Sequence, residues 1–115
     1  MNIEVTIAIT DATGCLKAFE RSDDAPFLTV DVAIDKAWTA ASFGLPTHMW
    51  NSILVDGKVA QLAHRPRFVA VGGGCPIIEG AKVVGGLGIS GGSALQDQQA
   101  AEIALKSLGF EVSRT

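Results

Sequence analysis

The chain has 115 residues, 48% of them hydrophobic, and a formal net charge of −3, which provides for one buried core and leaves no room for a second domain. Its densest basic cluster is Arg65, Pro66 and Arg67, too small to neutralise a phosphate backbone, so nucleic acid is not expected as a partner. The uncharged stretch 68–78 is shorter than a membrane span and is interrupted by Gly72, Gly73, Gly74 and Pro76, and the first residues carry no secretion-signal pattern; no membrane contact and a cytoplasmic location are expected.

Ile3, Val5, Ile7 and Ile9 alternate with polar or small residues, which predicts a strand with its isoleucine face on the core. Asp11 to Gly14 supply a turn, and 15–21 should return as the second arm of a hairpin, with Leu16, Ala18 and Phe19 meeting the core. After a polar loop at 22–26, Thr29 is the expected cap of a helix whose apolar stripe is Val30, Ala33, Ile34, Ala37, Trp38 and Ala41, ended by Gly44 and Pro46. Thr47 should cap a second, short helix reaching Leu54, and further helical turns are expected toward Leu62.

Strands are then predicted at 68–71, 76–78 and 83–89, the last two joined by a turn at 79–82. The final helix is the best marked. Ser93 with Gln96 forms a capping box, Ala100, Ala101, Ala104, Leu105 and Leu108 give a buried stripe, and Gly109 suits a Schellman ending that folds Phe110 toward Leu105. Hairpins in place of a regular βαβ alternation predict an α+β domain, an antiparallel sheet with helices packed on it.

The stretch Gly85-Gly86-Leu87-Gly88-Ile89-Ser90-Gly91-Gly92-Ser93 contains a formal GxGxxG pattern between a strand and a helix. Too little chain follows Gly91 to complete a dinucleotide-binding domain, so that reading is rejected. The glycines still permit close backbone approach, and the helix N-terminus could receive an anion, or they simply let strand and helix pack closely. Cys15 and Cys75 are far apart and without metal-ligand spacing, so neither a protein-built metal site nor a disulfide is predicted, and Cys75 is expected to be structural.

Several separated segments resemble the GlcG/HbpS-like (DUF336) family: Lys36-Ala37-Trp38-Thr39-Ala40-Ala41-Ser42-Phe43, Pro46-Thr47, Gly72-Gly73-Gly74-Cys75-Pro76-Ile77, Gly88-Ile89-Ser90-Gly91-Gly92 with Gln96-Asp97, and Asp11 to Gly14 with the loop after the first hairpin. The resemblance covers nearly the whole chain in order, and such proteins are similar to the C-terminal domain of PduO-type adenosyltransferases. It implies a profilin-like α/β fold with a five-stranded antiparallel sheet, assembly into homo-oligomers, and, in some members, haem binding or degradation. The family's usual N-terminal helix has no counterpart before Ile3, which implies that a subunit partner or another segment covers that face of the sheet.

Residues favoured by both the resemblance and local chemistry are the candidates for a site. Lys36, expected opposite or beside the Ile34 and Trp38 stripe, could meet an anionic ligand, with Arg21, Gly73 and Gly74 beside the same substrate. Arg21 and Asp23 could form an ion pair at a pocket edge. Thr47 is expected to cap first and touch ligand second, and His48, at a positive helix end, suits a neutral donor, acceptor or axial haem ligand. Gly88, Ser90, Gly91, Gly92 and Ser93 would form the cofactor-binding turn, Asp97 would serve as general base, and His64 could steer a carboxylate.

Two functional readings remain open at this point: a haem-type small-ligand-binding oligomer, and a small enzyme acting on an anionic, carboxylated catabolic intermediate through Lys36, Asp97 or His48. A purely structural subunit is the third. The chain has no tyrosine and no covalent haem-attachment motif.

Overall fold

A computed structural model describes residues 2–112. Strand β1 (Thr6–Asp11) turns into β2 (Leu16–Arg21), and helix α1 (Leu28–Phe43) follows. A 3₁₀ turn (Thr47–Met49), a single turn α2 (Trp50–Ile53) and a second 3₁₀ segment (Ala60–His64) lead to β3 (Gly74–Glu79), β4 (Lys82–Ser90) and helix α3 (Ala94–Ser107). All pairings are antiparallel, in the order β2-β1-β4-β3.

The α+β architecture agrees with the sequence, but the described residues form four strands and not five. Residues 68–71 are not a strand because side chains take their backbone groups. Val69 N–H donates to Thr39 Oγ1 at 3.2 Å, and Val71 O accepts the Thr47 hydroxyl at 2.6 Å.

The β1 alternation is present, but its most buried face is the small and polar one, while Val5 and Ile9 pack only partly against the core on the other face. Thr6, Ala8 and Thr10 are the buried positions, whereas Ile7 is 36% exposed. Helix α1 lies so close to the sheet that the face beneath it accepts only small or short side chains. A Cβ added at Gly86 or Gly88 would strike the backbone carbonyl of Ala37 or Ala33, and Ala33, Ala37, Ala40 and Ala41 complete the contact. Thr6 and Thr29 satisfy each other there by a hydroxyl–hydroxyl bond of 2.8 Å.

On the opposite face Cys75, Leu87 and Ile89 meet Ala101 and Leu105 of α3, with Val5, Ile9, Ile77 and Phe110 around them. β2 is an exposed edge, so Leu16, Ala18 and Phe19 do not enter the core. Leu108 also differs from expectation: it is 72% exposed, because the helix ends at that point and the chain turns away.

The ends of the elements follow local chemistry. α3 carries the expected capping box between Ser93 and Gln96. Gly109 takes a positive φ of 86°, and the Phe110 N–H reaches Leu105 O at 2.9 Å, closing the Schellman motif. α1 begins one residue before the expected Thr29 cap, without a side-chain cap; the Thr29 hydroxyl instead donates to Pro26 O at 2.6 Å. Gly44 ends the helix in the left-handed conformation.

Candidate functional site

The triple glycine is where the sequence-predicted residues converge. Lys36 comes from α1 and Asp97 from the first turn of α3, and they meet in the interior at 3.3 Å with side chains 2% and 3% exposed. The ammonium also donates to Ile89 O at 2.8 Å, while Asp97 Oδ1 accepts Gly92 N–H at 2.9 Å. Burial lowers the Lys36 pKa, and the Asp97 charge opposes that shift.

This corrects one expectation. Lys36 is not at the margin of α1, because Ala33, Lys36 and Ala40 share its buried face at i, i+3 and i+7 spacing. At the N-terminus of α3 part of the amide set is already engaged by the chain itself. Besides Gly92 N–H, the Ser93 N–H is taken by Gln96 Oε1 and the Gln96 N–H by Ser93 Oγ. Of the other members of that turn, Gly88 lies beneath α1, Ser90 is buried, and Gly91 sits against the Glu4 carbonyl.

Gly73 covers the Lys36–Asp97 pair. Its φ is 125°, and a Cβ there would meet Lys36 Nζ at 2.7 Å and Asp97 Cβ at 2.9 Å, so only glycine fits. Its N–H donates to Gln98 Oε1 at 2.8 Å. Gly74 N–H donates to Thr47 Oγ1 at 2.9 Å, so Thr47, expected as a helix cap, instead fastens both ends of the glycine loop.

A cavity of about 420 Å³ lies on the outer side of that loop, lined by His48, Asn51, Gly72, Ala94, Leu95, Gln98, Gln99 and Glu102. His48 is half-buried, and its Nδ1 is sealed from solvent without a hydrogen-bond partner. With Nδ1 sealed, Nε2 is the nitrogen left to meet a ligand. Gln98 is fully committed, donating to Cys75 Sγ at 3.2 Å and to Glu102 Oε2 at 2.9 Å. The buried Cys75 thiol is pushed up to about 11 by desolvation, in keeping with a structural role.

Lys36 and Asp97 do not line this cavity; His48 does. Arg21 lies elsewhere, its guanidinium donating to Ala25 O at 3.0 and 2.6 Å; these bonds hold the loop before α1 in place of the expected pairing with Asp23. Asn51, Gln98, Gln99 and Glu102 were not anticipated. Gln98 and Glu102, four apart on α3 beside its apolar stripe, were the available signal.

Comparison with known proteins places this arrangement in a family. The family model for the haem-degrading protein HbpS-like group matches residues 1–106. The chain belongs to the HbpS-like family.

Among its HbpS-like relatives is an uncharacterised 15.0 kDa protein of Citrobacter freundii, 35% identical over 108 residues, which span 91% of this chain and 76% of that protein. The corrinoid adenosyltransferase PduO of the same organism is 33% identical over 94% of this chain, but the match spans only 33% of PduO. Two solved structures superimpose well. A PduOC–haem complex shares 30% identity at a TM-score of 0.88, over 97% of this chain and 83% of the other. A double mutant of HbpS from Streptomyces reticuli shares 29% at 0.84, over 93% and 73%. Among the described residues no helix is long and apolar enough to cross a membrane.

Proposed function

We propose that this protein binds haem or a closely related planar ligand in the His48 cavity. The observation that carries the reading is the uncommitted imidazole: His48 lines a cavity of about 420 Å³, its Nδ1 is unpartnered, and among the described residues none is hydrogen-bonded to its ring. One free imidazole is what an iron already held by a macrocycle requires from the protein. Such a cavity volume falls within the ordinary range for small-molecule sites. Two HbpS-like proteins solved as structures, PduOC with haem and HbpS itself, support the ligand class.

The residues present fit the group in named ways. His48 would supply the axial nitrogen, Ala94 and Leu95 the apolar wall, and Gly72 a surface without a side chain. A Cβ at Gly72 would meet Ala94 O at 2.8 Å and Gln98 Cβ at 3.3 Å, so the loop packs close against α3. Glu102 is the one charge in the lining, which directs any ligand carboxylate outward, to solvent. Bound haem would supply a redox-active iron; the chain's own contribution is to hold and orient it.

In this reading Lys36 and Asp97 position the cavity wall instead of transferring protons, because both are paired behind Gly73. Self-association is part of the proposal: Ile7, Ile9, Ala18, Phe19 and Glu20 line a largely apolar hollow at the exposed β1–β2 edge. Haem titration followed by the Soret band tests the ligand. Saturable one-to-one binding that His48→Ala weakens at least tenfold is expected; binding that depends on His64 and not on His48 would refute the placement.

A further inference from the structure

Lys58, His64 and Arg65 of this acidic chain meet at a second cavity that the haem reading does not use. A groove of about 530 Å³ runs along the 3₁₀ segment Ala60–His64 and is lined by Lys58, Val59, Gln61, Leu62, His64, Arg65 and Pro66. Its floor is apolar and its rim carries two permanent cations and an imidazole, with no carboxylate in the lining. Among the described residues neither Lys58 nor Arg65 has an ion-pair partner; the pairs formed are Lys17–Asp11, Lys36–Asp97 and Arg67–Asp35. Asp56, the nearest acid in sequence, accepts Lys58 N–H through Oδ1 at 2.9 Å, and Asp35 holds Arg67.

The groove is also held in shape. Arg67 is the one non-glycine residue among those described with a positive φ, 69°, a conformation that surrounding contacts must maintain. Its guanidinium lies 4.5 Å over the Trp38 ring and its Nε is 2.9 Å from Asp35 Oδ1. Its carbonyl accepts the Thr39 hydroxyl at 3.1 Å. Three contacts to α1 thus clamp the segment immediately after the groove. Leu62 N–H to Val59 O and Arg65 N–H to Leu62 O, both 3.0 Å, fix the segment itself.

We propose that this groove is a binding site for a small carboxylate with an apolar body. Lys58 and Arg65 take the carboxylate, His64 adds a ring donor, and Val59, Leu62 and Pro66 receive the hydrocarbon. An unpaired guanidinium in the same groove as Val59, Leu62 and Pro66 favours a carboxylate with an apolar body over a compact inorganic anion, since only the former also removes apolar surface from water. The site stands independently of the His48 cavity, with which it shares no lining residue.

The test is an amide chemical-shift titration of the full chain with benzoate and, separately, octanoate, each against sodium chloride at equal ionic strength. The expected result is saturable shifts confined to 58–66 that chloride does not reproduce, with the tighter probe showing whether a ring or a chain is preferred. Lys58→Gln with Arg65→Gln should weaken that binding at least tenfold while haem affinity stays within twofold; both positions are exposed, so the fold is retained. Shifts that chloride reproduces, shifts outside the groove, or unchanged affinity in the double variant would overturn the proposal, and none of these outcomes bears on haem binding at His48.

Discussion

Lys36 Nζ and Asp97 Oδ2, sixty-one positions apart in sequence, face each other at 3.3 Å in the interior. A buried pair of this kind contributes little net stability, because desolvating two charges offsets their attraction, yet removing one partner strands the other. Lys36→Met or Asp97→Leu alone should therefore cost about 3–5 kcal/mol in chemical denaturation. The double variant should recover most of that loss. Equal and additive costs would mean that the pair is not coupled.

Gly73 covers the pair in a conformation with φ of 125°. Gly73→Ala should lose at least about 3 kcal/mol of stability, since the backbone strain adds to a collision with Lys36 Nζ. Thermal unfolding followed by circular dichroism reads this directly; an unchanged midpoint would contradict the geometry.

The legibility of these features in the sequence was uneven. The capping box at Ser93 and the Schellman ending at Gly109 depend on neighbouring residues alone, and both formed as the residue types required. The β1 alternation correctly indicated a strand but not its most buried face. Hydrophobicity favoured the isoleucines, whereas the close approach of α1, permitted by Gly86 and Gly88, selected Thr6, Ala8 and Thr10. Lys36 departs from expectation for a related reason: its charge favours an outward position, whereas its spacing from Ala33 and Ala40 lies on the buried stripe. Spacings of four and eight to Ala101 and Leu105 put Asp97 on the buried stripe of α3. The His48 cavity was half legible, since its ring was anticipated and its polar walls depend on how α3 meets the glycine loop.

Thr47 fastens that loop at two points, donating to Val71 O and accepting from Gly74 N–H. Thr47→Val keeps the shape and removes both bonds. It should cost about 1–3 kcal/mol by denaturant titration and should weaken haem binding several-fold, because Gly72 forms part of the cavity wall. A stability loss without any change in haem affinity would separate the loop from the site.

The two cysteines should differ sharply in reactivity. Cys15 is exposed and Cys75 buried, and the folded Cys75 thiol keeps its proton up to about 11 against an ordinary 9.0. Between those values the unfolded chain binds fewer protons, so stability falls as pH rises through that window and is unaffected by this group below it. The loss should reach up to about 3 kcal/mol and be absent from Cys75→Ala. Iodoacetamide at pH 8 should label Cys15 alone in the native protein; rapid labelling of Cys75 would contradict its burial.

If His48 holds the iron of a bound haem, resonance Raman spectroscopy of the haem-loaded protein reads that bond directly. The wild type should show an iron–imidazole signature that His48→Gly lacks and that added free imidazole restores. A His48→Gly protein that keeps the wild-type signature without added imidazole would show that another residue holds the iron.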